Sequence, residues 1–336
     1  MENNLDNNLL VTASPHILAK ASTQKIMGNV IIALLPTVVA SGLIFGARAI
    51  ALVAITVAAC VGFEFLYTMV MKKPSTVGDL SAVVTGILLA FNLPPTLPLY
   101  MAIIGAFVAI VIVKMLFGGL GFNFANPAIV ARIVLAVSFT SAMTSYIFPA
   151  NGIDALAGAT PMAAELFGGN KTLFVLLLGN HGGVLGETCA ITLILGGLYL
   201  IFTKTISAVI PVAYIGTVAV LSMIFGQNAL MQILSGGLLL GAIFMATDYV
   251  TSPFTFNGRL IFGIGLGVIT CGIRFFATSP EGVSFAILIM NLLVPYINDF
   301  TRQKVLGAKK RQKVLAEKKP KKVLAEKKPK KVRSGK

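Results

Sequence analysis

Four acidic residues stand inside stretches of this sequence that are otherwise apolar: Glu64, Asp79, Glu187 and Asp248. A charged side chain inside a membrane span costs about 2.5–3.5 kcal/mol on insertion scales, so each needs a partner or a task. Asp79 and Asp248 fall at predicted helix ends. An interfacial position fits both, and at Asp79 the helix N-terminus itself favours a negative charge; a contact to a translocated ion or a bound cofactor stays open for each. Glu64 falls in the middle of a predicted helix, and Glu187 follows the glycine-rich run "GNHGG". These two are candidates for binding a translocated Na+ or H+. For Glu187, a hydrogen bond to a bound cofactor or to unwound backbone, and plain structural pairing, stay open beside that reading.

A fifth feature is a hydroxyl. Residues 153–166 read "IDALAGATPMAAEL", which places Thr160 after the small residues Gly158 and Ala159, with Asp154 upstream and Pro161 immediately downstream. Small neighbours leave the hydroxyl approachable, and the proline biases Thr160 toward an extended backbone. From the residues alone, an acceptor for modification and an ordinary small-residue turn both fit.

Other chemistries lack their residues. With only His16 and His181, and with Cys60, Cys189 and Cys271 in no CxxC spacing, the chain has no haem-ligand pair, no iron–sulfur pattern and no metal site. "GGLGFNFANP" has neither the GxGxxG spacing nor a preceding strand of a dinucleotide-binding turn. If this protein handles electrons, an organic cofactor carries them.

The elements that must position these groups are membrane helices. The 336 residues are 56% hydrophobic and 12% charged, with a mean hydropathy of +0.89, well outside the soluble globular range. Residues 26–47, 80–113, 133–153 and 205–247 contain no Asp, Glu, Lys or Arg. Hydropathy predicts ten helices, near 26–47, 49–71, 78–91, 96–117, 127–148, 173–203 with an irregular start, 206–226, 230–247, 259–277 and 282–299. The expected organisation is a segment 1–25, an all-α transmembrane domain over 26–300 with an outer loop at 149–171, and a basic tail at 301–336.

The net charge of +15 belongs to that tail, which holds 16 of the 27 Lys and Arg but 2 of the 12 acidic residues. It repeats "KVLAEKKPK" at 313–321 and 322–330. Such a run is expected to be solvated and disordered, with anionic lipid or another protein of a complex as its other use. A nucleic-acid partner is not expected, because the rest of the chain is nearly neutral. Lys72, Lys73, Arg132, Lys204, Arg259 and the tail all fall on the side of the two termini, against Arg48, Lys171 and Arg274 opposite. This places both termini in the cytoplasm and the 149–171 loop outside.

"LSAVVTGILLAFNLPPT" from Leu80 and "LSGGLLLGAIFMATDYVTSP" from Leu234 both run from Leu-Ser through an apolar stretch into a proline-broken turn. Five predicted helices separate them, so two five-helix repeats would be inverted in the membrane, an arrangement that puts sites at the midplane. Taken alone, that pattern also suits a small-solute channel or transporter.

Several stretches resemble one family: "SPHILAKASTQKIMGNVIIALLPTVVA" (14–40), "LFGGLGFNFANPAIVAR" (116–132), "DALAGATPM" (154–162), "GNHGGVLGETCA" (179–190), "ATDYVTSP" (246–253) and "SPEGVSFAILIMNLLVPYIND" (279–299). Over residues 14–300 the chain resembles RnfD, a membrane component of the Rnf electron-transport complex, and its counterpart in the Na+-pumping NADH:quinone oxidoreductase. The short lead and "SPHI" look more like the Rnf type. The resemblance implies a ten-helix component of a ferredoxin:NAD+ oxidoreductase in a bacterial or archaeal cytoplasmic membrane, with other Rnf subunits and membrane lipid as partners. It also implies FMN joined by a phosphoester to Thr160 by a separate flavin transferase, with Asp154, Gly158, Ala159 and Pro161 in supporting positions. Ala157 stands where the family usually has Ser. A second, non-covalent flavin, FMN or riboflavin, fits the resemblance, as does coupling to Na+ or H+ translocation.

Overall fold

In the computed structural model the described residues are 22–145, 177, 182–187, 189–276 and 282–302. They are all-α. Helix α1 (Thr23–Phe45) starts where the Ser22 hydroxyl accepts the Lys25 amide at 3.2 Å. Gly46, at φ +78°, turns the chain straight into α2 (Ala47–Val70), a reversal that a side chain would strain. After a 3-10 turn at Val77–Asp79 come α3 (Ser81–Phe91) and α4 (Leu99–Met115). The last two turns of α4, Val108–Met115, are π-helical. Helix α5 (Pro127–Ser138) is capped by Asn126, whose Oδ1 accepts the Ala128 amide at 3.0 Å.

In the second half, α6 (Ala190–Phe202) and α7 (Val209–Ile224) are followed by the short α8 (Ala229–Leu234). Helix α9 begins at Leu238–Leu240 and continues as a π-helix over Gly241–Met245. Helices α10 (Phe256–Phe276) and α11 (Gly282–Thr301) complete the described chain.

Among the described residues four helices, α1, α2, α10 and α11, are long and apolar enough to cross a membrane on their own. The other described helices are shorter, α3 and the α8–α9 segment among them. The expected helix 78–91 begins only at Ser81 and has 11 residues, about 16 Å at 1.5 Å per residue, against a hydrocarbon core of about 30 Å. The expected helix 230–247 is split at residues 235–237, where Gly236 and Gly237 have φ +69° and +68°. Helix α5 stops ten residues before its expected end, at the break at Phe139 (φ −130°, ψ 51°), leaving one further turn at Thr140–Met143.

Small residues bring the helices together where no hydrophobic effect can. A Cβ on Gly86 of α3 would lie 2.7 Å from the Val57 Cα of α2, and Cβ atoms on Gly263 and Gly267 of α10 would strike Ala213 and Thr217 of α7. A Tyr214–Thr270 hydroxyl contact of 2.6 Å ties the same two helices. Contacts fix which segments share an end. Gln24 reaches the Gly78 carbonyl, Asn29 reaches Thr205, and Thr255 reaches Thr301, so α1 begins and α11 finishes at one end, called here the terminal end. Arg48 on Thr96 and Arg274 on Gln232 lie at the opposite end. Helix α3 enters the body from the terminal end and α9 from the opposite end. Their positions match the sequence repeat and its inversion.

Candidate functional site

Glu64 of α2 is fully buried. Its Oε2 lies 2.7 Å from the Lys114 Nζ of α4, and its Oε1 accepts the Thr76 hydroxyl at 2.5 Å. Lys114 is 2% exposed and also donates to the Ser81 hydroxyl at 2.7 Å, at the first residue of α3. The pair thus ties α2 and α4 to the start of the short α3. Sequence reasoning missed Lys114 because it directly follows the charge-free run 80–113 and reads as the flank of a span. The available signal was Glu64, whose position demanded a cation.

Glu187 belongs to a second cluster. Its Oε1 lies 3.9 Å from a terminal nitrogen of Arg132, and the other terminal nitrogen donates to Asn92 Oδ1 at 2.9 Å. The carboxylate rests on Gly237, where a Cβ would sit 2.7 Å from Oε1, and it feels the charge of Arg274. Arg274 donates to the carbonyls of Gln232 (2.6 Å), Ser235 (3.2 Å) and Gly236 (3.0 Å), satisfying the backbone freed by the break between α8 and α9. Two of the arginines counted for orientation are therefore engaged by groups of the protein itself. Arg132 lies in the second turn of α5, 4% exposed, and Arg274 is turned inward onto the α8–α9 break. Both serve buried groups.

Asp79 ends its 3-10 turn half-buried at the terminal end. Asp248 follows α9 and accepts the Thr251 hydroxyl at 3.2 Å. It lies on the wall of a small crevice that also touches Ile26, Ser81, Lys114, Asn123 and Thr247. The Asn123 Oδ1 is buried there without a hydrogen-bond partner among the described residues. The structure thus does not gather the four carboxylates into one site. Glu64 and Glu187 sit in separate charge clusters, while Lys114 and Asp248 share the crevice. Thr160, its neighbours Asp154, Ala157, Gly158, Ala159 and Pro161, and His181 lie outside the described residues. Among the described residues no group of three His, Cys, Asp or Glu could hold a metal, and Cys60, Cys189 and Cys271 are free thiols.

Comparison with known proteins supplies the kinship. Residues 10–307 match the NQR2, RnfD, RnfE family. The chain is 47% identical over 309 residues to the D component of the Na+-translocating ferredoxin:NAD+ oxidoreductase complex of Acetobacterium woodii, covering 90% of this chain and 96% of that protein. It is 41% identical over 323 residues to the D component of the proton-translocating ferredoxin:NAD+ oxidoreductase complex of Clostridium ljungdahlii, covering 90% and 98%. It is 37% identical over 331 residues to the D component of the ion-translocating oxidoreductase complex of Stutzerimonas stutzeri, covering 86% and 94%. With an all-α membrane fold and end-to-end matches of this strength, the chain belongs to the NQR2, RnfD, RnfE family, with the RnfD proteins of Rnf complexes as its relatives.

Proposed function

We propose that this chain is the flavin-carrying RnfD component of an ion-translocating ferredoxin:NAD+ oxidoreductase. The observation that carries the reading is the match to the corresponding components of such complexes across 86–90% of the chain. On this reading the chain is one part of a redox-driven ion pump, works with the other Rnf subunits, and has no turnover alone. Its relatives include both a Na+-translocating and a proton-translocating complex, at 47% and 41% identity.

FMN joined through a phosphoester to Thr160 by a flavin transferase is the first cofactor of this proposal. A flavin supplies the exchange between two-electron and one-electron steps. The second, non-covalent flavin is assigned to the crevice at the terminal end, where apolar walls meet a few polar groups. Its apolar walls from α1 and α9 would exclude water from the ring. Asn123, whose side-chain oxygen has no donor among the described residues, would accept from the ligand, and Lys114 would donate.

Lysines and arginines at the chain's surface support an orientation with both termini in the cytoplasm. Among the described residues, once the buried Lys114 and Arg132 are set aside, Lys25, Lys72, Lys73, Lys204, Arg259 and Arg302 belong to the terminal end, against Arg48 and the half-buried Arg274 opposite. The loop that contains Thr160 then faces outward. A flavin-free solute channel is the weaker reading. Glu64 and Glu187 are each engaged by a fixed cation, whereas a pore needs such groups available to its cargo.

The deciding experiment is in-gel flavin fluorescence of the denatured chain produced with its transferase, wild type beside Thr160→Ala. A fluorescent band that vanishes in the variant supports the attachment. No wild-type band, with a control substrate flavinylated in the same cells, would overturn it and trace the failure to Ala157.

A further inference from the structure

Helices α3 and α9 both end inside the body of the protein, and the ends meet. Asn92, the residue after α3, has its amide nitrogen 3.6 Å from the sulfur of Met245, the last residue of α9. A helix C-terminus carries a partial negative charge on unpaired carbonyls, and two such ends near the midplane of a membrane protein make a cation position. Here several of the carbonyls are already served by the protein itself. The Phe91 and Leu93 carbonyls accept the Gly186 and Leu185 amides at 2.9 and 3.2 Å, and the Met245 carbonyl accepts the Asn126 side chain at 3.2 Å. Asn92 donates to the Leu88 carbonyl at 2.6 Å and thereby relays the negative end of α3 to its own Oδ1.

That oxygen holds Arg132 at 2.9 Å. Glu187, the carboxylate of this cluster, lies on the far side of the same guanidinium. The packing beside it is close. A Cβ on Gly186 would lie 2.6 Å from Phe91 and 2.9 Å from Leu240, so loop 182–187 is pressed onto both half-helices.

We propose that the Arg132 guanidinium is a tethered cation that occupies the cation position between the two half-helix ends and so keeps small inorganic cations from crossing the middle of this protein. A mobile cation arriving there meets a fixed positive charge and finds the Asn92 oxygen and the Glu187 carboxylate engaged. Entry requires that Arg132 leave Asn92. An arginine suits the task because it stays protonated at all physiological pH values and its planar fork can hold two acceptors at once. This inference rests on the reading of the chain as part of a cation-translocating complex, in which a leak through the resting protein would dissipate the gradient.

The test uses the whole complex in sealed liposomes, without ferredoxin. An imposed Na+ gradient is followed by radioactive Na+ uptake, and an imposed pH gradient by quenching of a pH-sensitive dye. Wild type is compared with Arg132→Gln, Arg132→Lys and Asn92→Ala, with assembly checked by subunit composition and flavin content. The expected result is a leak of one cation on the order of tenfold faster in Arg132→Gln, tightness kept by the lysine variant, and a leak in Asn92→Ala, where the anchor rather than the charge is removed. Assembled Arg132→Gln liposomes as tight as wild type for both cations would overturn the proposal. If that variant does not assemble, a tight Asn92→Ala complex does so instead. Failure of the functional reading is separable: wild-type liposomes given reduced ferredoxin and NAD+ would then build no gradient at all.

Discussion

Replacing Lys114 by Met leaves Glu64 buried in α2 with the Thr76 hydroxyl as its remaining named partner. At 2.7 Å the lost attraction is about 6 kcal/mol for an effective dielectric of ~20, before desolvation is counted. Removing one partner of a buried pair destabilises proteins by about 3–5 kcal/mol, because the orphaned charge remains in the interior. Replacing both partners by neutral groups is often nearly neutral, so Glu64→Gln/Lys114→Met should recover most of the loss. The chain carries its own probes: Cys60, four residues before Glu64, and Cys271 are buried free thiols. A thiol-reactive fluorophore added during heating in detergent reports their exposure as the helices part. Lys114→Met should lower the midpoint by roughly 5–15 °C, and the double variant should return to within a few degrees of wild type. If the double variant melts no higher than Lys114→Met, the pair is not coupled and the assignment of Lys114 as the partner of Glu64 is wrong.

Gly237→Ala should impair both stability and complex activity. The residue is held at φ +68° and the new Cβ would press on the Glu187 carboxylate, at about 1 kcal/mol for the backbone alone. Thermal midpoints and NAD+ reduction by the assembled complex check it, and an unchanged enzyme would mean that the carboxylate can move aside freely. Asn123→Leu should release non-covalent flavin from the purified complex while leaving the fluorescence of covalently bound flavin in gels unchanged. Equal retention of extractable flavin in variant and wild type would remove the crevice as its site.

The sequence by itself determined that this is a helical membrane protein with a basic tail, because uninterrupted apolar runs have only one stable solution in lipid. It also determined where α3 would end, because "FNLPP" at residues 91–95 cannot continue a helix past its prolines; the break at "SGG", residues 235–237, fell inside an expected helix, because glycine permits a positive φ without requiring it. The resemblance to RnfD, carried by short motifs spread over residues 14–300, likewise stood in the sequence alone. What the tertiary structure decided is the fate of the charges. Hydropathy places Lys114, Arg132 and Arg274 at span ends and counts the two arginines toward orientation, yet each of the three is turned inward onto a group far away in the chain: Glu64, Asn92 and the break at 235–236. A one-dimensional count cannot show this, because two of the spans cross only half the membrane. The carbonyls they leave unpaired, and the carboxylates buried beside them, are satisfied by residues about 40 to 120 positions away that only the packing of the helices brings within reach.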